Sequence, residues 1–194
     1  MRTAPHRVVL AVTYGMPIFE ASVPCEVFGI DRPDLASPWY SFSVVGLGEA
    51  PLSLGPGFWL SPADDMGALA RADTLVVPAC ANVHDDPPAP LVDAVRAAHD
   101  RGVRLVSICS GAFILAAAGI LDGRRATTHW GALDLLQTLG VGIEVDRTAR
   151  VVEDGVVTSA GVASGIDMSF AVVEKLFGRE VAAETAHYIE FRRA

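Results

Sequence analysis

One stretch constrains the fold of this chain more than any other. Arg104 to Ile108 forms a short run suited to a buried strand, Cys109 follows at once, and Ala112 to Ala118 then supplies seven residues without a polar side chain. Neither flank has a polar face, so both the strand and the following helix are expected to be internal. A buried strand running straight into a buried helix is the repeating unit of a layered α/β sheet. Open sheets of that kind bind ligands beyond the carboxyl ends of their strands, which is where Cys109 falls. Ser110 and Gly111 let the backbone turn tightly and leave amides to receive a developing oxyanion. The positive end of the helix predicts a Cys109 thiol that ionises easily. The layout is that of a nucleophile elbow with cysteine in place of serine.

The rest of the chain alternates between strand-like and helix-like runs with no Ser- or Gly-rich linker, so residues 1–194 are expected to form one α/β domain with a mostly parallel sheet covered by helices on both faces. Val8 to Val12 predicts the first strand, and Ala21 to Gly29 a helix, which puts Glu20 at the top of that strand. Ser41 to Leu47 predicts a second strand, and the Gly- and Pro-rich segment from Pro51 to Pro62 a hairpin or loop over one edge. Asp73 to Pro78 contains a further buried strand. Leu91, Val95 and Ala98 recur at helical spacing ahead of Arg101-Gly102, completing a βαβ unit that ends in the cysteine strand. Ala126 to Thr128 is expected to be extended and Ala132 to Leu139 helical. Asp154-Gly155 marks a hairpin between two short Val-rich strands. Helices over Ile166 to Phe177 and Glu180 to Phe191 finish the chain.

Composition narrows the function classes. The formal charge is −8, from 23 acidic and 15 basic residues, and no basic cluster exceeds a pair, which disfavours nucleic-acid binding by this chain alone. Cys25, Cys80 and Cys109 are an odd count at wide spacings, which suits free thiols in a reducing cytoplasm. The longest apolar run, Ala112 to Leu121, is too short to cross a bilayer, so no membrane association is expected. The apolar run after Arg7 is read as a strand, because no small-residue cleavage site follows it. The five histidines show no helical pairing, and no metal or other cofactor is expected.

Several motifs together carry a family resemblance. Cys109-Ser-Gly-Ala112, Arg124-Arg-Ala-Thr-Thr-His129-Trp130, the segment from Thr158 to Asp167, and Phe19-Glu20 four residues ahead of Pro24 resemble the ThiJ/PfpI superfamily over nearly the whole chain. The resemblance implies a class I glutamine amidotransferase-like (flavodoxin-like) sandwich. Members include deglycases, proteases, chaperones, isocyanide hydratases and the sensor domains of AraC-type transcription regulators. The Phe28 to Leu35 segment and the elbow are most similar to those sensor domains, whereas Ala186 to Phe191 is more similar to free-standing members.

The resemblance implies that Cys109 is the nucleophile and that Glu20 hydrogen-bonds its sulfur. A carboxyl buried beside a thiolate is expected to have a raised pKa, so it could donate its proton. His129 approaches the cysteine from a neighbouring loop in the resembled family, and two roles stay open for it: a base, or an anchor of the Thr127-Thr128 turn beside a Trp130 that fills core. Substrate contacts are expected from Ser110 and Gly111 and, at the end of the preceding strand, from Ala79 and Cys80. The family commonly has paired glycines at the last two positions. Family proteases carry histidine directly after the cysteine, where this chain has Ser110. Isocyanide hydratases have aspartate where Glu20 stands.

Two functions follow from the resemblance. One is a cysteine-dependent lyase or hydrolase acting on a small molecule. The other is a ligand- or redox-sensing domain whose helix-turn-helix partner lies outside these 194 residues. A homodimer is expected on the same ground. Cys80 and Cys109 leave one sheet edge from neighbouring strands, so Cys80 is expected either to resolve an oxidised Cys109 as a disulfide or to serve as an apolar wall.

Overall fold

The computed structural model describes residues 4–62 and 64–192. Its framework is a six-stranded sheet that alternates with helices. In chain order the elements are β1 (His6–Thr13), α1 (Ile18–Gly29), β2 (Tyr40–Leu47), β3 (Leu52–Ser53), β4 (Trp59–Leu60), α2 (Gly67–Arg71), β5 (Thr74–Val77), α3 (Ala89–Asp100), β6 (Arg104–Ile108) and α4 (Gly111–Ala117). After them come β7 (Arg125–Ala126), a 3₁₀ turn (Trp130–Ala132), α5 (Leu133–Thr138), β8 (Glu144–Val145), β9 (Val151–Asp154), β10 (Val156–Ser159), α6 (Ser164–Phe177) and α7 (Arg179–Tyr188).

The main sheet has the order β2-β1-β5-β6-β10-β9. Every neighbouring pair is parallel except β9 with β10, an antiparallel hairpin that turns through Gly155 at φ 71°. β3 and β4 form a separate hairpin, as the Gly- and Pro-rich segment predicted. A two-residue parallel pair between β7 and β8 was not foreseen.

Alternation along the strands explains why both sheet faces carry helices. Val9 and Ala11 of β1, Leu75 and Val77 of β5, and Leu105 of β6 share one core cluster with Leu91, Val95 and Ala98 of α3 and with Ala112 and Leu115 of α4. Val8, Leu10 and Val12, together with Val76, Val106 and Ile108, face the other way, into a cluster with Val27 and Phe28 of α1 and Met168 and Val172 of α6. Burying each Val, Leu, Ile, Phe or Met side chain among them stabilises the fold by roughly 1.5–3 kcal/mol before chain entropy is counted. Strands buried on both faces read as continuous apolar runs, which is why the sequence shows them clearly.

One boundary differs from expectation in a way that matters. The helix after β1 starts at Ile18, three residues earlier than predicted, so Glu20 belongs to the first turn of α1 and not to the end of β1. Helix α1 gives little periodic signal for its start, since only Ser22 and Glu26 are exposed polar residues among the buried Ala21, Val23, Val27 and Phe28, and Pro24 lies inside it.

Candidate active site

The chain leaves β1 toward β2 on one side, then crosses to β5 on the other, so the direction of winding reverses between β1 and β5. At such a switch point the loops at the carboxyl ends of adjacent strands diverge and leave a crevice. Three of them converge here: the turn from β1 into α1, the loop after β5, and the turn from β6 into α4.

Cys109 forms the last of these turns and adopts φ 56°, a left-handed conformation that is costly for a residue with a Cβ. Its surroundings hold it there. Its amide donates to the Ser159 carbonyl at 3.0 Å, and the Thr128 hydroxyl donates to its carbonyl at 2.8 Å. The Thr127 amide in turn donates to Thr158 Oγ1 at 2.9 Å, so the Thr127-Thr128 segment is fastened to β10. Gly161, at φ 90°, presses against the other side of Cys109, where no side chain would fit. Gly111 is constrained in a comparable way, because a Cβ there would stand 2.2 Å from the Val77 carbonyl oxygen.

Glu20 is only 2% exposed, and its carboxyl shares a hydrogen bond with the Cys109 thiol. Its Oε2 also accepts the Ala79 amide at 3.0 Å. Burial pushes the Glu20 carboxyl above the ordinary carboxylate range, against the opposing effect of these hydrogen bonds. Burial, followed by the charge of Glu20, pushes the Cys109 thiol up to about 12, while the Ser110 amide and hydroxyl pull the other way. This corrects the expectation of an easily ionised thiol. Helix α4 has only seven residues, and desolvation outweighs its dipole. A Cys109 thiolate forms when the thiol proton passes to the Glu20 carboxylate across this hydrogen bond.

The other expected residues fall around this pair. Glu20, Ala79, Cys80, Cys109, Ser110 and His129 all line one open cavity of about 520 Å³, walled further by Phe19, Val83, Ala132 and Val162. Gly111 is not among its lining residues, and its role is the close packing of α4 on the end of β5. Ala79 and Cys80 differ from their expected part as amide donors to substrate. The Ala79 amide is taken by Glu20, and the Cys80 amide donates to Ser110 Oγ at 3.1 Å. Ser110 Oγ also donates to the Cys80 carbonyl at 3.4 Å, so this hydroxyl ties the β5 loop to the turn after β6.

His129 lies near enough to Glu20 for their charges to interact, but its Nδ1 accepts the Gly131 amide at 3.3 Å. That bond caps the 3₁₀ turn at Trp130–Ala132, so the ring anchors this segment. Trp130 is 80% exposed, so the core role foreseen for it does not hold. Thr128, Ser159 and Gly161 were not singled out in the sequence as supports of the cysteine. Their motifs were visible, but their contacts with Cys109 span 19 to 52 residues and arise only on folding.

No group of three or more His, Cys, Asp or Glu residues suited to a metal occurs among the described residues. No helix among them is long and apolar enough to cross a membrane.

A parallel sheet with a strained cysteine at its switch point and a buried glutamate on its sulfur defines a recognisable class of flavodoxin-like cysteine proteins. Comparison with known proteins gives it a name: residues 6–175 match the model of the DJ-1/PfpI family, and the chain belongs to that family. The "Uncharacterized protein in cpoL 5'region" of Streptomyces lividans is 41% identical over 132 residues, which are 67% of this chain and 92% of that protein. The isonitrile hydratase of Pseudomonas putida is 32% identical over 151 residues, covering 74% of this chain and 63% of the hydratase. The chain thus spans less than two thirds of that enzyme. Among solved structures, an AraC family transcriptional regulator from Pseudomonas putida superposes with a TM-score of 0.82 at 20% identity, over 95% of this chain and all of that one, a likeness of fold alone.

Proposed function

We propose that the chain is one DJ-1/PfpI-type catalytic domain whose nucleophile elbow presents Cys109 to a small molecule with an electrophilic carbon, and that hydration of an isonitrile is the reaction it fits best. The observation that carries this reading is the buried hydrogen bond between Glu20 and Cys109 at the floor of an open cavity. A carboxyl with a raised pKa in contact with a thiol can give up and recover a proton within one catalytic cycle.

The pair first places its shared proton on Glu20, leaving a Cys109 thiolate held by the Ser110 amide. The sulfur bonds to the terminal carbon of R–N≡C, and the Glu20 proton goes to the same carbon, giving R–N=CH–S–Cys. Glu20, now a carboxylate, takes a proton from the water that attacks this carbon and passes it to nitrogen. The resulting R–NH–CH(OH)–S–Cys collapses: the C–S bond breaks, the hydroxyl proton returns to the pair, and R–NH–CHO leaves. The net reaction adds one water to the isonitrile.

Incubating the protein with cyclohexyl isonitrile and following formamide by NMR tests this. Wild type should form product, Glu20→Gln should lose at least about a hundredfold in rate, and Cys109→Ser should be inactive. Wild type that neither exceeds the buffer blank nor gains the mass of the substrate refutes the reading.

One observation favours a second reading. With the Ala79 and Cys80 amides engaged internally, the cavity offers few donors to a developing charge, which suits a ligand- or redox-sensing domain of an AraC-type regulator. Binding that raises the melting temperature without turnover would support it. A cytoplasmic homodimer that binds no nucleic acid by this chain alone belongs to either reading, and sedimentation tests the dimer.

A further inference from the structure

The reactive cavity does not end at the thiol. Val83 and His84 line both it and a second cavity of about 330 Å³ that lies against α4 and α5. Phe113, Ala116, Leu135 and Leu139 make that second cavity apolar, and Asp85 and Asp86 form its acidic edge. The Asn82 side chain steadies the connecting loop by donating to Asp85 Oδ1 at 2.9 Å.

The charges around this double cavity are one-sided. No arginine or lysine among the described residues lines either part of it. Neither Asp85 nor Asp86 forms an ion pair among those residues, although seven such pairs occur elsewhere on the molecule. Once the Cys109 proton has passed to Glu20, the thiolate places one negative charge at the floor of this cavity, on a residue that is itself buried. The field of Asp85 extends into the same space: the Cys80 thiol is raised first by burial, then further by the charges of Glu20 and Asp85.

We infer that this site takes uncharged or cationic electrophiles with an apolar body and refuses anionic ones, with the Glu20–Cys109 pair as the inner determinant and Asp85 as the outer. The inference rests on the reading of Cys109 as the reacting atom and specifies the substrate class of that site. A carboxylate or sulfonate brought against the thiolate would face a like charge at close range with no arginine or lysine in the lining to offset it, whereas an ammonium group would be drawn in by the same field.

Charge-matched methanethiosulfonates test this without any turnover. Cys109 thiolate attacks the thiosulfonate sulfur, forming Cys–S–S–R and releasing methanesulfinate, so only R differs between reagents. Rates at Cys109, resolved by peptide mapping, are measured for the methyl, trimethylammonioethyl and sulfonatoethyl reagents and divided by those for 2-mercaptoethanol. The sulfonatoethyl reagent should then lag the methyl reagent by roughly tenfold or more, with the cationic reagent at least as fast as the methyl one. Asp85→Asn, which keeps the loop hydrogen bond within reach, should speed the anionic reagent about twofold to threefold at low salt, and added salt should narrow the gap in wild type. Equal normalised rates for the three reagents would overturn the charge selection while leaving a reactive Cys109 in place. Failure of all three to modify Cys109 would remove the reactive-thiol reading and this inference with it.

Discussion

Gly161 and Cys109 are packed so closely that a Cβ on the glycine would stand 2.4 Å from Cys109 Cβ and 2.7 Å from its sulfur. The cysteine is thereby confined between β10, which accepts its amide hydrogen, and a glycine held at φ 90°. Gly161→Ala must displace Cys109 or the turn itself, at a cost of roughly 2–4 kcal/mol. Denaturant unfolding should show that loss, and thiol labelling should show a rate at Cys109 that differs from wild type.

Glu20 gives a pH dependence of known sign. Its carboxyl binds a proton more tightly in the folded protein than in the unfolded chain, so its contribution to stability is fully present below the ordinary carboxylate pKa and is lost as pH rises through the raised folded value. Glu20→Gln removes this dependence. Melting curves from about pH 4 to pH 8 should therefore show the wild type losing ground to the variant as pH rises. Parallel curves for the two proteins would show that burial does not govern this carboxyl.

Asp73 behaves in the opposite sense. It accepts the Arg7 Nε and Nη2 hydrogens at 3.0 and 2.7 Å and the Arg7 amide at 2.9 Å, which ties the start of β5 to β1. Hydrogen bonds from the Arg7 side chain, the largest influence, lower its carboxyl to about 2. The stability gained is present above the ordinary carboxylate pKa and disappears as pH falls through about 2. Because the pair is partly exposed, Asp73→Asn should cost only about 1 kcal/mol near neutral pH. That deficit should shrink in acid.

Cys80 should remain a thiol. Its Sγ donates to the Ser110 carbonyl at 3.7 Å, and burial raises its pKa, so little thiolate is available to attack an oxidised neighbour. Mild peroxide followed by non-reducing peptide mass spectrometry should find oxygen added at Cys109 and no Cys80–Cys109 linkage. A linked peptide would show that Cys80 resolves Cys109.

The parts determined by the sequence alone are those governed by local, periodic burial. The doubly buried strands Val8–Val12, Thr74–Val77 and Arg104–Ile108, the Leu91/Val95/Ala98 stripe and the Asp154-Gly155 hairpin each follow from spacing and turn chemistry within about a dozen residues. The strand-to-helix spacing also marked Cys109, whereas Glu20 was marked by the family resemblance. The tertiary structure alone decided what surrounds them: that Glu20 is a helix residue, that the Ala79 and Cys80 amides turn to protein partners, that His129 accepts at Nδ1, and that burial raises the thiol where a helix end was expected to lower it. These outcomes depend on desolvation and on partners 19 to 59 residues away in the chain, as in Thr128 with Cys109 and Glu20 with Ala79. No local pattern encodes such distances, because the free energy of a buried polar group is set by whatever the folded chain brings within 3 Å of it.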